Sequence, residues 1–388
     1  MKRNWIVLIA LWILSLVGIS YFGGPVSYGF FAAVTLVPIV SLIYLFFVFL
    51  RFKIYQRLEG RNVIANTASD FYIALQNEDF FSFSGIRILF YSSFSSLSGI
   101  DDSVEYELIP HTGVKYETKL LCKYRGEYEV GVKSIVIQDF FRLFRFTYRN
   151  REPFRVRVLP RVVQLNSIKA LDPAYLNTMD SYKNTSSLDA VVRDYMPGDD
   201  IRSIHWKATA REGKLLVRNT IGEELNGIGI IMDSSKCSFY PMEFLPVENK
   251  ICETALALCM YFTNHHIPVN IYSMQGELTR HTIGSISQFD EFYKYISSFV
   301  FDDTQSVDKL ITSVSGDSLF YKNSFIVLVL HDLSDSAKDL MKLLKQNNIS
   351  TVVYLITGEK DAVTTETDGV NSNIVMIPTD ADLEEVIG

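Results

Sequence analysis

Between Leu188 and Arg218 the chain reads LDAVVRDYMPGDDIRSIHWKATAREGKLLVR, an unusually dense mixture of arginines, aspartates, aromatics and turn formers. Arg193, Arg202, Arg211 and Arg218 are interspersed with Asp194, Asp199 and Asp200. A guanidinium fork holds a carboxylate bidentately, so this mixture can build an ion-pair lattice within the fold or a charged surface that grips a partner protein. Catalysis is a poorer fit, because no cysteine or paired Ser/His accompanies the carboxylates, and His205 can rest against Trp206.

The elements that position these groups follow from the turn chemistry. Pro197 presets φ and Gly198 relaxes it, and Asp199 or Asp200 can then cap a helix whose apolar side is Ile201, Ile204 and Ala208. Lys207 and Arg211 suit the negative end of that helix, Gly213 ends it, and Leu215 to Val217 resumes as a strand. The expected unit is strand, tight turn, helix, strand.

The pattern R-D-Y-x-P-G-D-D-x-R-x-I-x-W-K-A-x-A-R, from Arg193 through Tyr195, Pro197, Gly198, Asp200, Arg202 and Trp206 to Arg211, resembles the signature of the bacterial family called domain of unknown function 58 (DUF 58). Upstream, Arg125-Gly126-Glu127-Tyr128 with Val130-Gly131, Asp139-Phe140-Phe141 with Leu143-Phe144, and Val158-Leu159-Pro160-Arg161 resemble that family's R-G-x-Y-x-x-G, D-P-F-G-L-F and V-Y-P-R elements. Phe140 and Arg142 stand where the family has Pro and Gly. The resemblance spans about residues 80 to 360. It implies a membrane protein working beside a MoxR-type AAA+ ATPase in assembly, maturation or envelope stress handling.

A chain of 388 residues with 48% hydrophobic and 13% aromatic content exceeds one ordinary core. Trp5 to Phe22 and Val26 to Leu50 are apolar runs, each about long enough to cross a hydrocarbon layer of roughly 30 Å as a helix. Gly23-Gly24-Pro25 between them allows only a hairpin turn. Lys2 and Arg3 precede the first run, and Arg51, Lys53, Arg57 and Arg61 follow the second, so the positive-inside rule places both termini in the cytoplasm of a two-span protein integral to the cell membrane. A cleaved signal peptide is the competing reading, but no small-residue cleavage site follows the first run. Cys122, Cys237, Cys252 and Cys259 show neither C-x-x-C spacing nor grouping with histidine, which argues against disulfide and zinc frameworks. A net charge of −7 without a basic aromatic groove argues against nucleic acid as a partner.

The expected architecture is an N-terminal transmembrane α-hairpin, a small β-sandwich, then an α/β doubly wound domain. The hairpin occupies 1–57 and an immunoglobulin-like β domain 63–160, with Phe140, Phe141, Leu143 and Phe144 plugging one end of it. The signature segment covers 161–226, with its motif at 188–218. From 227 to 388 strands and helices alternate: strands at Ile228 to Met232, Pro268 to Ser273, Phe325 to Leu330, Ser350 to Ile356 and Ile374 to Ile377, and helices at Val247 to Thr263, Ser287 to Phe299 and Ser334 to Gln346. Ligands of such sheets gather at the carboxyl ends of the strands.

At the first of those ends, Asp233-Ser234-Ser235-Lys236-Cys237 resembles the D-x-S-x-S metal loop of von Willebrand factor A domains, with Cys237 in place of the second Ser and Lys236 inside the loop. The resemblance implies Asp233 and Ser235 as ligands of a hard cation such as Mg²⁺, with Asp332 as third-loop carboxylate and Thr282, Ser285 or Ser287 as second-loop hydroxyl. The alternative is a degenerate loop in which Asp233 caps the next segment or pairs with Lys236. His331 beside Asp332 ends a central strand, but without a nucleophile it is weak evidence for acid–base work. The sequence therefore favours a membrane-anchored interaction protein, no enzyme, over a divalent-metal-dependent hydrolase built on the Asp233 loop or an extracellular adhesion receptor.

Overall fold

A computed structural model describes residues 2–60, 62–100, 104–169, 191–194, 206–219, 227–302, 304–347, 349–358 and 373–388, with backbone alone at 191–194, 208, 217–219 and 373. Contacts divide the chain into two compact units, Met1–Arg161 and Val162–Gly388.

In the first unit, helices α1 (Lys2–Phe22) and α2 (Gly24–Arg51) are long and apolar enough to cross a membrane. They meet at Gly23, whose φ of 56° turns the chain sharply between them. Trp12 donates its indole N–H to Thr35 Oγ1 at 3.2 Å and tilts against Phe31, which aligns the pair in antiparallel register. Most of their apolar side chains face outward: Phe22 is 87% and Val26 84% exposed.

Strands β1 (Lys53–Leu58), β2 (Val63–Ile64), β3 (Ala68–Asn77), β4 (Phe83–Phe90), β5 (Ser95–Leu97), β6 (Glu105–Leu108), β7 (Thr112–Cys122), β8 (Gly126–Val130), β9 (Val132–Gln138), β10 (Arg145–Arg149) and β11 (Phe154–Leu159) complete this unit. They form sheets of order β1-β3-β7-β5, β10-β9-β4-β6 and β2-β11-β8. Side-chain alternation builds the core: Phe71, Ile73 and Leu75 of β3, with Ile86 and Ile88 of β4 and Ile135 and Ile137 of β9, are buried in one cluster. Leu45 and Val48 from the last turns of α2 belong to that cluster, so the helix end is part of the β core.

Two expectations need correction here. The β structure begins at Lys53, because β1 pairs along β3 from Lys53↔Gln76 to Leu58↔Phe71. Of the residues expected to plug the β unit, Leu143 is buried and Phe144 packs on the core, but Phe140 and Phe141 are 79% and 50% exposed. Asp139 accepts the backbone N–H groups of Phe141 and Phe144, which turns the loop outward between them.

The second unit carries strand β12 (Val191–Asp194), helix α3 (Trp206–Glu212) and strand β13 (Leu216–Asn219), with β12 and β13 antiparallel in the register Arg193↔Val217. Its main sheet uses β14 (Ile228–Met232), β15 (Val269–Gln275), β16 (Glu277–Ile283), β17 (Phe325–Leu330), β18 (Ser350–Thr357) and β19 (Asn373–Pro378), in the order β16-β15-β14-β17-β18-β19. All neighbours are parallel except β15 and β16. The helices are α4 (Pro241–Asn264), α5 (Ile286–Ser298), α6 (Val307–Ser315), α7 (Asp335–Gln346) and α8 (Leu383–Val386). Successive side chains of β14 serve opposite cores: Ile228, Ile230 and Met232 pack with α4 and α5, and Ile231 packs with α6 and α7.

Strand β16 and helix α6 are additions to the expected alternation of strands and helices. Gly276, at φ 77°, lets β15 fold directly back into β16, a strand with polar residues at most positions that lacks an apolar run. Helix α6 is short and rich in Ser, Thr and Val, and its helical state rests on the Ser306 cap, which accepts Lys309 N–H, and on buried Leu310, Ile311 and Val314.

Candidate functional site: a closed carboxylate–imidazole centre at the strand ends

Strands β14 and β17 lie side by side and parallel, with Met232 opposite Val329, so their carboxyl ends deliver Asp233 and His331 to the same edge of the sheet. The Asp233 backbone N–H still donates to Val329 O at 3.0 Å, continuing the ladder by one bond. Its side chain is fully buried. Oδ1 accepts the Ser235 backbone N–H at 2.9 Å and the Ser235 hydroxyl at 2.6 Å. Oδ2 accepts the His331 backbone N–H at 3.1 Å and lies 2.5 Å from His331 Nδ1.

Four donors thus converge on one carboxylate, the arrangement that makes a buried charge tolerable. Burial alone would raise the Asp233 carboxyl, but the His331 bond and charge, with the Ser235 bonds, hold it below the usual carboxylate range. Burial works against a charged His331, and the Asp233 bond and charge, aided by Asp332, outweigh it and raise the imidazole. Both shifts favour an ion pair.

This geometry does not suit Mg²⁺. The oxygens a cation would need already receive hydrogen bonds, and an imidazole raised toward its cationic form stands at the carboxylate. Asp332 is exposed, Thr282 donates to Asn270 Oδ1 on the edge hairpin, Ser285 caps α5, and Ser287 is exposed. Among the described residues, no group of three or more His, Cys, Asp or Glu is placed to hold a metal.

The rest of the loop is equally committed. Ser234 Oγ accepts Met274 N–H, Lys236 lies 4.1 Å above the Phe244 ring, and Ser235 bridges Asp302. Of the two alternatives to a metal site, the capping role of Asp233 is present, while its charged partner is His331 and Lys236 turns elsewhere. Burial pushes the Cys237 thiol up to about 11, which leaves it protonated and a poor nucleophile at neutral pH. Cys252 and Cys259, seven apart on α4, are both buried.

His331 is the residue sequence reasoning undervalued. The usable signal was position: it follows the strand adjacent to the one that ends at Asp233, although adjacency of β14 and β17 is a tertiary fact.

In the Arg/Asp motif, Arg193 and Asp194 lie on β12, and Trp206 and Arg211 lie on α3, where Trp206 is 63% exposed and Arg211 occupies the last turn. Gly213, at φ 67°, closes that helix with its N–H on Thr209 O. Leu216 N–H donates to Thr209 Oγ1, tying helix to strand. Tyr195, Pro197, Gly198, Asp199, Asp200 and Arg202 lie outside the described residues, as do Ile201 and Ile204.

No curated protein matches the chain. Among solved structures, a GH20 exo-β-N-acetylglucosaminidase from Vibrio harveyi in complex with N-acetylglucosamine aligns at 9% identity with a TM-score of 0.16. An inactive mutant of that enzyme aligns at 8% identity with a TM-score of 0.15. Each alignment covers 79% of this chain and 57% of the other, so this chain spans just over half of those structures, and superposition at that level carries no inference. Residues 191–272, from β12 through the Asp233 loop to β15, match the model of the family described as Protein of unknown function DUF58.

Proposed function

We propose that the chain is a membrane-anchored, cytoplasm-facing interaction or assembly factor of the DUF 58 family, working with a MoxR-type AAA+ ATPase. The supporting observation is the outward-facing apolar surface of α1 and α2, exemplified by Ile6 at 66%, Leu14 at 62% and Ile43 at 61% exposure. A surface of that size is paid for in water by aggregation and is stable in a bilayer. In this reading both helices span the cell membrane and both termini are cytoplasmic, following the basic residues that flank the hairpin. We assign the six-stranded sheet, with cores on both faces, to a doubly wound von Willebrand factor A-like module whose Arg/Asp segment docks the partner. A closed Asp233 centre favours a scaffold over the alternative metal-dependent hydrolase, because the carboxylate is spent on holding strand ends together.

The test is affinity capture of the detergent-solubilised full chain with a MoxR-type ATPase, with and without nucleotide. Nucleotide-dependent co-elution that weakens with Trp206→Ala is the expected result, and absence of binding in both states overturns the partnership. Topology is read separately by a Lys342→Cys variant in a Cys237→Ser background, which an impermeant thiol reagent should label only after cells are permeabilised.

A further inference from the structure

The segments Asp79-Phe80-Phe81 and Asp139-Phe140-Phe141 repeat one design in two places. In each, the aspartate is buried, at 8% and 2% exposure, and the two phenyl rings after it are not: Phe80 is 81%, Phe81 62%, Phe140 79% and Phe141 50% exposed. Both loops leave the same end of one sheet. Strands β4 and β9 are antiparallel neighbours with Ile86 opposite Ile137, so the residues preceding β4 and following β9 emerge together.

Neither loop is loosely held. Asn77 Nδ2 donates to the carbonyls of Phe81, Leu108 and Ile109, and Asn77 Oδ1 accepts Asp79 N–H. Asp79 takes a bidentate contact from Arg51 at the end of α2. Asp139 anchors the second loop through Phe141 and Phe144 N–H, with Arg142 at φ 53° making the turn. Rings displayed on rigid loops are presented, and water is a poor recipient for a cluster of large apolar groups.

The helices indicate the recipient. Helix α1 has 21 residues and α2 has 28. At 1.5 Å per residue these are about 31 Å and about 42 Å long, so α2 outruns a hydrocarbon layer of roughly 30 Å by about two turns. Those last two turns are where the β unit attaches. Phe81 packs edge-on against Phe47 at 5.8 Å, and Tyr44 OH bonds to Ser82 O and receives Ser84 N–H. On the other side, Asn4 Nδ2 donates to Phe141 O, and Trp5 donates to Leu143 O while meeting Phe144 edge-on. Trp and Tyr at helix ends mark the boundary between headgroups and hydrocarbon, and both loops are bonded to that level.

We infer that the paired Asp-Phe-Phe loops are a lipid-contact device: Phe80, Phe81, Phe140 and Phe141 insert into the interface of a phospholipid bilayer beside the helical hairpin and seat the β unit on the membrane. The inference rests on the helices being the membrane anchor. In full-length protein in lipid nanodiscs, carrying Cys237→Ser, spin labels at Phe80→Cys and Phe140→Cys should collide with oxygen several-fold more readily than with a water-soluble nickel complex. Labels at Ile13→Cys and Ile39→Cys report the anchor, and one at Lys342→Cys reports water. Loop labels that behave like Lys342→Cys, while the helix labels remain in lipid, overturn the inference and leave the anchor standing. Loop labels shielded from both collision partners overturn it in favour of a protein contact. Helix labels open to nickel overturn inference and anchor together.

Discussion

The aspartate-led loops of the two units use their charge in opposite ways. Asp233 draws four donors from a serine and a histidine onto its two carboxylate oxygens, and the result is an internal clamp between β14 and β17. Asp79 and Asp139 are buried as well, but Asp139 bends its loop by accepting the Phe141 and Phe144 N–H groups while Asp79 ties its own loop to Arg51, and in both the apolar rings that follow face outward. A satisfied polar centre contributes to stability and has little left for a ligand, whereas satisfied polar anchors beneath exposed phenyl rings leave an apolar surface in want of a partner. The place that looked most like chemistry is therefore the more architectural of the two.

The comparison can be broken or sharpened by experiment. The largest effect is expected at Phe71→Ala, where a fully buried ring leaves a cavity in the β core. A loss of about 3–5 kcal/mol should appear as an earlier unfolding midpoint of the purified chain in detergent. Phe80→Ala, on its exposed loop, should change the same midpoint by no more than about 0.5 kcal/mol. Equal losses would mean that the exposed loop is part of the folding core and would erase the contrast.

Asp233→Ala removes the acceptor of a half-buried imidazole and two backbone N–H groups, and should cost about 3 kcal/mol in the same assay. A variant that melts like the parent would show that the clamp is dispensable. A smaller effect is expected from pH. The depressed Asp233 pKa contributes stability above its ordinary 3.8, lost as pH falls through the folded value, and the raised His331 pKa contributes stability below its ordinary 6.5, lost as pH rises through the folded value. The stability difference between the parent and His331→Gln should therefore be widest between about pH 4 and pH 6.5 and shrink on either side. A difference that does not vary with pH would mean that the pair is not ionised.

The smallest expected effect concerns metal. Millimolar Mg²⁺ or Mn²⁺ should leave the melting temperature unchanged, since a ligand that binds only the folded state must raise it by mass action. A rise that disappears in Asp233→Ala would reopen the metal reading and the hydrolase alternative.

What sequence could show here depended on how local the cause was. The apolar helices, the buried strands Ile228–Met232 and Phe325–Leu330, the caps of α5 and α7, and the closing Gly213 are all written in residues a few positions apart, because hydrogen-bond closure and side-chain periodicity act over that range. The polar edge strand β16 and the helix α6, with few strong helix formers, were illegible because neighbours in space stabilise them more than their own propensities do. Only the tertiary structure decided the partner of Asp233, since His331 lies 98 positions away and reaches it through the pairing of two parallel strands. It alone also showed that two Asp-Phe-Phe segments, 60 residues apart in the chain, share one end of a sheet beside the helices. Local spacing set which elements formed and which residues ended them; the pairing of strands distant in the chain decided which charges were spent inside and which aromatic rings were left outside, because burial is a property of neighbours in space and not of neighbours in sequence.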